Sequence, residues 1–483
     1  MTLRTLFLQA PSFDGYDGGA GARYQMKREV KSFWYPTWLA QPAAMVEGSR
    51  LIDAPAHDQS WDDIKHEVDD KELVILHTST PSFRQDVQTA ELIRARNPKA
   101  MIGFIGAKAA VESQKVLETS SAIDFVCRNE FDFTVLDVAN GMPLADVAGI
   151  SYRAPDGTIV HNKDRAVIED MDSLPFVSPI YKRDLVIEKY FGGYLKHPYV
   201  SFYTGRGCKS RCTFCLWPQT VGGHNYRTRS IGHVIEEVKY VIKEIPQTKE
   251  IFFDDDTLTD NGPRVEELAI ALGKLGFGKP GFGMSWSCNA KANVPRKTLE
   301  ILKANGLRLL LVGYESGNQQ ILHNIKKGLR VDVARQFTKD CHELGIVIHG
   351  TFILGLPGET EETIEETIRY AQEINPHTIQ VSLAAPYPGT FLYKQAVDND
   401  WFDGGDHLLT DGGTQIAQLS YPHLPAAVIF DKVEEFYKRF YFRPSKIWSI
   451  GSEMLRDWGM MKRRLREGLE FFEFLRRRKD VAA

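Results

Sequence analysis

Short apolar runs alternate with amphipathic stretches through the first third of the chain. Arg4 to Gln9, Arg50 to Asp53, Leu73 to His77, Met101 to Ile105 and Asp124 to Cys127 read as buried strands, each a continuous apolar run of strand length. Trp61 to Val68 and Asp86 to Arg96 carry helical spacing between them. Alternating βα units predict a doubly wound parallel sheet over residues 1–145. Any ligand of such a sheet is expected beyond the carboxyl ends of its strands.

The pattern changes at residues 146–195. Ile150 to Arg153 and Thr158 to His161 flank Ala154-Pro155-Asp156-Gly157, a hairpin signal, and Asp170 to Phe176 reads as a polar linker. From 196 to 395 six apolar runs each precede a helical pattern: Tyr199 to Thr204, Glu250 to Asp254, Gly283 to Cys288, Arg308 to Gly313, Ile346 to Ile353 and Thr378 to Leu383. Each run ends in an unusual loop. In a β/α barrel these loops converge on one mouth. Six units predict a partial (β/α)6 TIM-like barrel, open at one side to a large substrate. Residues 396–483 read as a helical C-terminal region.

Composition narrows the classes. The chain has 483 residues, 43% hydrophobic and 25% charged, with a net charge of −4. That balance is ordinary for a globular protein and makes no case for a nucleic-acid partner. Of the six cysteines, Cys127, Cys288 and Cys341 are scattered, so no disulfide framework is expected. Met1 to Leu8 lacks the pattern of a signal peptide, and no apolar run approaches a membrane span. A reducing, cytoplasmic location is expected.

The other three cysteines sit together in Gly205-Arg206-Gly207-Cys208-Lys209-Ser210-Arg211-Cys212-Thr213-Phe214-Cys215. Three thiolates at C-x3-C-x2-C spacing can hold three irons of a cubane cluster and leave the fourth open. The competing reading is a Cys3His zinc clip closed by His224, which would make the chain a zinc-stabilised binding module. Glu315 ends a strand in the turn Gly313-Tyr314-Glu315-Ser316-Gly317, whose glycines permit close backbone approach. Asp255 and Asp256 end another strand, and Lys291 follows a third. Arg227 and Arg229 read either as anion ligands or as surface ion pairs.

The cysteine spacing and the six loops resemble the radical S-adenosylmethionine (radical SAM) superfamily. The resemblance implies a [4Fe–4S] cluster on Cys208, Cys212 and Cys215, with SAM chelating the open iron and yielding a 5′-deoxyadenosyl radical. It places Phe214 beside the adenine, Asp255 and Asp256 near the amino group, Lys291 at the methionyl carboxylate and Glu315 at the ammonium or ribose. It also implies an electron donor such as a flavodoxin or ferredoxin. The turn Gly355-Leu356-Pro357-Gly358-Glu359-Thr360 matches the superfamily as well.

The N-terminal sheet resembles the cobalamin-binding domain often fused to these barrels. Asp53-Ala54-Pro55-Ala56-His57-Asp58 does not match the D-x-H-x-x-G that supplies a histidine ligand. Cobalamin would then be held without one, around Ser79, Gly103 and Gly106. The alternative is a platform for substrate.

Longer runs carry a narrower resemblance. Asp14 to Tyr24, Phe33 to Trp38, Leu216 to His224 and Ser287 to Pro295 look like the hopanoid-associated radical SAM family tied to bacteriohopanetetrol cyclitol ether. That family implies a hopanoid lipid substrate whose linked hexosamine is contracted to a cyclitol. Cobalamin-dependent methyl transfer is the alternative enzyme reading. A tRNA methylthiotransferase is disfavoured by the near-neutral charge.

Two segments await placement. The aromatic stretch Phe13 to Trp38 could cover a sugar and an apolar chain, or join the core. In the tail, Met461, Leu465, Leu469, Phe472 and Leu475 fall near one helical stripe among clustered bases. The stripe either lies on an anionic membrane at the inner face or packs on the barrel.

Overall fold

The computed structural model describes residues 2–11, 32–402 and 415–456, with isolated tail positions 465, 466, 468–470, 472, 473 and 476. The glycine-rich run Asp14 to Tyr24 lies outside the described residues, as do Met461, Leu475 and the bases Arg477 to Lys479.

The first sheet contains β1 (Thr5–Gln9), β2 (Arg50–Asp53), β3 (Leu73–His77), β4 (Met101–Ile105) and β5 (Phe125–Cys127), all parallel. β6 (Ile150–Arg153) and β7 (Ile159–His161) form the expected hairpin. It continues the first sheet, pairing antiparallel with β5, so the order is β2-β1-β3-β4-β5-β6-β7. β1 and β3 are buried throughout, which is why they read as unbroken apolar runs.

The second sheet begins at β8 (Tyr199–Phe202). A short antiparallel ribbon of β9 (Gly205–Arg206) and β10 (Arg227–Thr228) brackets the cysteine loop. The parallel strands β11 (Glu250–Phe253), β12 (Ser285–Ala290), β13 (Leu307–Glu315), β14 (Val347–Leu354) and β15 (Thr378–Leu383) complete it in the order β15-β14-β13-β12-β11-β8. Six parallel strands in this order make the partial barrel.

Its two edges are not left open. The carbonyls of Pro198 and Phe202 accept from the amides of Lys249 and Asp254 on the β11 side, so the Tyr199 carbonyl faces the free edge. The Tyr35 hydroxyl donates to it at 2.7 Å. Trp34 packs on Phe252 and Tyr199, with ring centroids 5.3 and 6.4 Å away. At the other edge, amides of Ile379 and Val381 in β15 donate to the hydroxyls of Tyr441 and Tyr437, both on helix Ala426–Tyr441. Tyrosine hydroxyls thus supply the partners an edge strand lacks. The wide lateral opening expected from six units is narrowed by this aromatic cover.

The two sheets are joined through buried charge. Asp132 and Glu130, beside the amino end of helix Asp132–Ala139, pair with Arg206 at 2.5 Å and Arg227 at 2.7 Å. Arg206 also lies over the Trp38 ring, which stacks on Trp217 at 4.7 Å. Arg227 and Arg229 are therefore neither anion ligands nor surface pairs. Both are buried, and Arg229 pairs with Glu237.

Candidate active site

The cysteine loop is held from several sides. Gly207 takes a φ of +91°, and a Cβ there would meet the Asn225 carbonyl at 2.3 Å, so the turn requires glycine. Gln219, which carried no signal in the sequence, donates from Nε2 to the carbonyls of Cys212, Thr213 and Cys215. His224 donates from Nδ1 to the carbonyls of Cys208 and Ser210 at 3.2 and 3.0 Å. That ring nitrogen braces the loop backbone. Among the described residues, no group of three or more His, Cys, Asp or Glu is arranged to hold a single metal ion. Three sulfurs that each bind a different iron must stand further apart than three sharing one zinc.

Cys208, Cys212 and Cys215 line a cavity of about 240 Å³ at the carboxyl end of the barrel. Phe214, Asp256, Lys291 and Glu315 line it too, so residues spread over more than a hundred positions converge there. Burial raises the thiols of Cys212 and Cys215. Their sulfurs therefore become thiolates when metal binds, since ligation and deprotonation are coupled. The donor set fits a cluster with one open iron.

Asp255 does not reach the cavity. Successive side chains of a strand point to opposite faces. Asp254 and Asp256 face the lumen. Asp255 points outward and is fully buried, where it accepts from the Thr204 amide, the Thr204 hydroxyl and the Tyr226 hydroxyl. It fixes the strand ends and is withdrawn as a SAM contact.

Glu315 sits in the left-handed region at φ +64°, after a register shift between Gly313 and Glu315. A non-glycine residue there costs about 1–3 kcal/mol and is tolerated where its surroundings hold it. Here the holder is Lys327, whose Nζ meets Glu315 Oε1 at 2.7 Å. A Cβ on Gly313 would stand 2.3 Å from that same Oε1 and 2.7 Å from Nζ. The glycine expected to admit a ligand thus first admits this ion pair. Burial acts to lower the Lys327 pKa, but the charges of Glu315 and Cys212 outweigh it and leave the ammonium raised. Sequence reading missed Lys327, one lysine in an unremarkable Lys326-Lys327 pair. It also missed Asn289, which shares the lumen face with Lys291. Lys291 reaches the cysteine loop itself, donating to Ser210 Oγ at 3.3 Å.

The rest of the cavity lining is of two kinds. One is aromatic, with Trp34, Tyr35, Trp38, Tyr194 and Tyr203. The other carries neutral polar groups on β14 and β15, namely Thr351, Gln380 and Ser382. Trp34 and Trp38 are thus both packed in the core and exposed to the lumen.

Comparison with known proteins agrees with this geometry. Residues 202–371 match the Radical SAM superfamily model. The barrel is a radical SAM domain. A [4Fe–4S] cluster and SAM are accordingly its cofactors. An uncharacterized methyltransferase of Pyrococcus horikoshii is 27% identical over 433 residues, covering 87% of this chain and 90% of its own. The anaerobic magnesium-protoporphyrin IX monomethyl ester cyclase of Rubrivivax gelatinosus is 25% identical over 458 residues, covering 91% and 77%. Among solved structures, the radical SAM methyltransferase TsrM of Kitasatospora setae, with cobalamin and a [4Fe–4S] cluster bound, superposes with a TM-score of 0.69 at 14% identity over the whole of both chains. The radical SAM chain thus shares its fold with a cobalamin-binding enzyme.

The residues expected around cobalamin do not form an open cradle. The Phe125 ring lies 2.2 Å from where a Gly103 Cβ would be. Gly106 is pressed against the Thr78 carbonyl and the unpartnered Nε2 of His77. Ser79 is bonded to Ser82, which donates to the buried Asp86. Val111, at the end of helix Ala107–Val111, packs against Gly389 of the sixth barrel loop, beside Thr220.

Proposed function

We propose that this chain is a radical SAM enzyme that forms or rearranges carbon–carbon bonds on a hydroxyl-bearing substrate. The observation that carries the reading is the cavity in which three cysteines, the Glu315–Lys327 pair and a polar–aromatic lumen meet. With cluster and SAM bound, the site supplies a radical able to take hydrogen from an unactivated carbon. The protein's part is to hold and orient. Asp256 and Lys291 offer opposite charges for an amino acid's amino and carboxylate groups, Phe214 offers a ring for the adenine, and Glu315 with Lys327 fixes the wall between them. The aromatic cover of the β8 edge limits water at the reacting carbon.

Two reactions fit this frame. Methyl transfer to carbon has the stronger support, since one relative is named a methyltransferase and the chain shares its fold with a cobalamin-bound methyltransferase. The positions expected around cobalamin, Ser79, Gly103 and Gly106, are crowded by their neighbours, and the protein's own residues carry the reading without it. Ring contraction of a hopanoid-linked hexosamine rests on the narrower sequence resemblance. One feature of the site favours it: a lining that combines aromatic rings with Thr351, Gln380 and Ser382 suits the faces and hydroxyls of a sugar ring. Reconstituted protein, incubated without oxygen with SAM, reductant and an amino-sugar hopanoid, separates the two. A product heavier by one methylene supports methyl transfer. A product of unchanged mass, formed together with 5′-deoxyadenosine, supports ring contraction. If neither SAM cleavage nor product is seen with a full cluster, the proposed substrate class is wrong.

A further inference from the structure

Large apolar side chains exposed on the described surface are concentrated at one place. Seven of them are scattered from Met142 to Val397, whereas six lie between residues 442 and 472. These are Phe442, Ile447, Trp448, Leu465, Leu469 and Phe472. Trp448 is 79% exposed and Leu469 73%, the two highest values in the group. A monomer surface seldom leaves bulky side chains gathered this way without a use for them.

The patch is built rather than frayed. Helix Pro444–Arg456 carries Ile447 and Trp448. Its start is pinned to the barrel by Arg443, which donates to the Gln372 carbonyl and to Asn375, and by Lys446, which donates to the Pro376 carbonyl at 2.7 Å. The tail returns to the same region, since the Phe472 ring stacks on Phe442 with centroids 6.2 Å apart. Arg466 lies over the Phe191 ring at 4.8 Å. Leu465, Leu469 and Phe472 nevertheless stay exposed, so the three described members of the stripe expected from the sequence are not buried against the barrel.

Along the sequence, the segment that carries the patch has a charge opposite to that of the whole chain, with six of its bases, Lys462 to Arg464 and Arg477 to Lys479, outside the described residues. Residues 444–483 hold ten Lys and Arg against six Asp and Glu, a net of +4, in a chain whose net charge is −4. Bulky apolar groups and clustered bases in one segment of sequence are the two signals that together hold a protein on an anionic bilayer. A protein partner would need complementary shape, but a headgroup layer needs only apolar insertion and positive charge.

We propose that this C-terminal surface docks the enzyme on an anionic lipid bilayer, with Trp448 and Ile447 entering the headgroup layer. Asn375 and Pro376 precede β15, so the docked surface lies at the amino end of the barrel strands, opposite the cluster. The membrane then holds the base of the barrel and leaves the mouth facing away. The inference does not depend on which radical reaction the mouth performs.

The test uses the full chain with its cluster, sedimented with vesicles of phosphatidylcholine alone or mixed with phosphatidylglycerol. The expected result is several-fold more protein bound to the anionic vesicles, falling as salt is raised, and a several-fold loss in Trp448→Ser and in Leu469→Ser. Iron content and thermal midpoint of the variants report that they are folded. Equal binding by variants and parent, or no binding to anionic vesicles, overturns the proposal. So does self-association by light scattering that Trp448→Ser abolishes, because the patch would then be an interface between two copies.

Discussion

The two parallel sheets of this molecule follow the same construction rule and end differently. Both place loops at the carboxyl ends of buried strands, where ligands of such sheets gather. In the barrel that end opens into a cavity of about 240 Å³ lined by thiols, carboxylates and ammonium groups. In the first sheet the described residues at the corresponding end crowd one another, with Gly106, just beyond β4, against the Thr78 carbonyl and His77. Topology therefore nominates a site, while the side chains at the strand ends decide whether there is room for anything.

The largest effect that could break the comparison is loss of the cluster. Replacing Cys208, Cys212 or Cys215 with Ala is expected to abolish both bound iron and 5′-deoxyadenosine formation, since two thiolates cannot hold a cubane with an open iron. Iron and sulfide assays with product chromatography check this. Normal values in any single variant would remove the barrel mouth's claim to be the reactive end.

Next is the strained pair. Glu315→Gln leaves Lys327 buried without its counter-charge, which costs about 3–5 kcal/mol of stability. It should also weaken SAM binding. Adding Lys327→Met should restore most of the melting temperature but not the SAM affinity. Calorimetric melting and SAM titration read the two quantities apart, and recovery of both would make the pair purely structural.

A glycine in each sheet sharpens the contrast directly. Gly313→Ala drives a methyl into Glu315 and Lys327, and Gly103→Ala drives one into Phe125. Each overpacking should cost about 1–3 kcal/mol. Only Gly313→Ala should also lower SAM affinity. If Gly103→Ala lowered it equally, the first sheet would belong to the site after all.

The smallest effect concerns pH. Burial raises the Glu359 carboxyl from its usual 4.5 to about 8, although it accepts from the amides of Gly355 and Leu356. Between those values the folded chain holds a proton that the unfolded chain has released. Stability from this group is therefore present at low pH and lost as pH rises through about 8. Glu359→Gln should flatten that decline in denaturant melts from pH 5 to 8. An unchanged slope would mean that the carboxyl is not buried neutral.

Much of this was legible from residue order. The strand runs, the hairpin, the six-unit barrel and the cysteine loop depend on local periodicity and spacing, which a sequence displays directly. Asp255 and Asp256 mark the limit. Adjacent acids look alike in a list, but the pleat sends Asp256 into the lumen and Asp255 to Thr204 and Tyr226. Lys327 and Gln219 had no signal because their roles come from partners in other loops.

By itself the sequence determined the chemistry on offer: three thiolates at cluster spacing, a parallel barrel to present them, and a C-terminal segment of opposite charge. The tertiary structure decided where that chemistry has room. Cavity or closure, lumen-facing or outward carboxylate, and covered or bare barrel edge all depend on contacts between distant residues. Such contacts are set by packing in three dimensions and leave no periodicity in the chain.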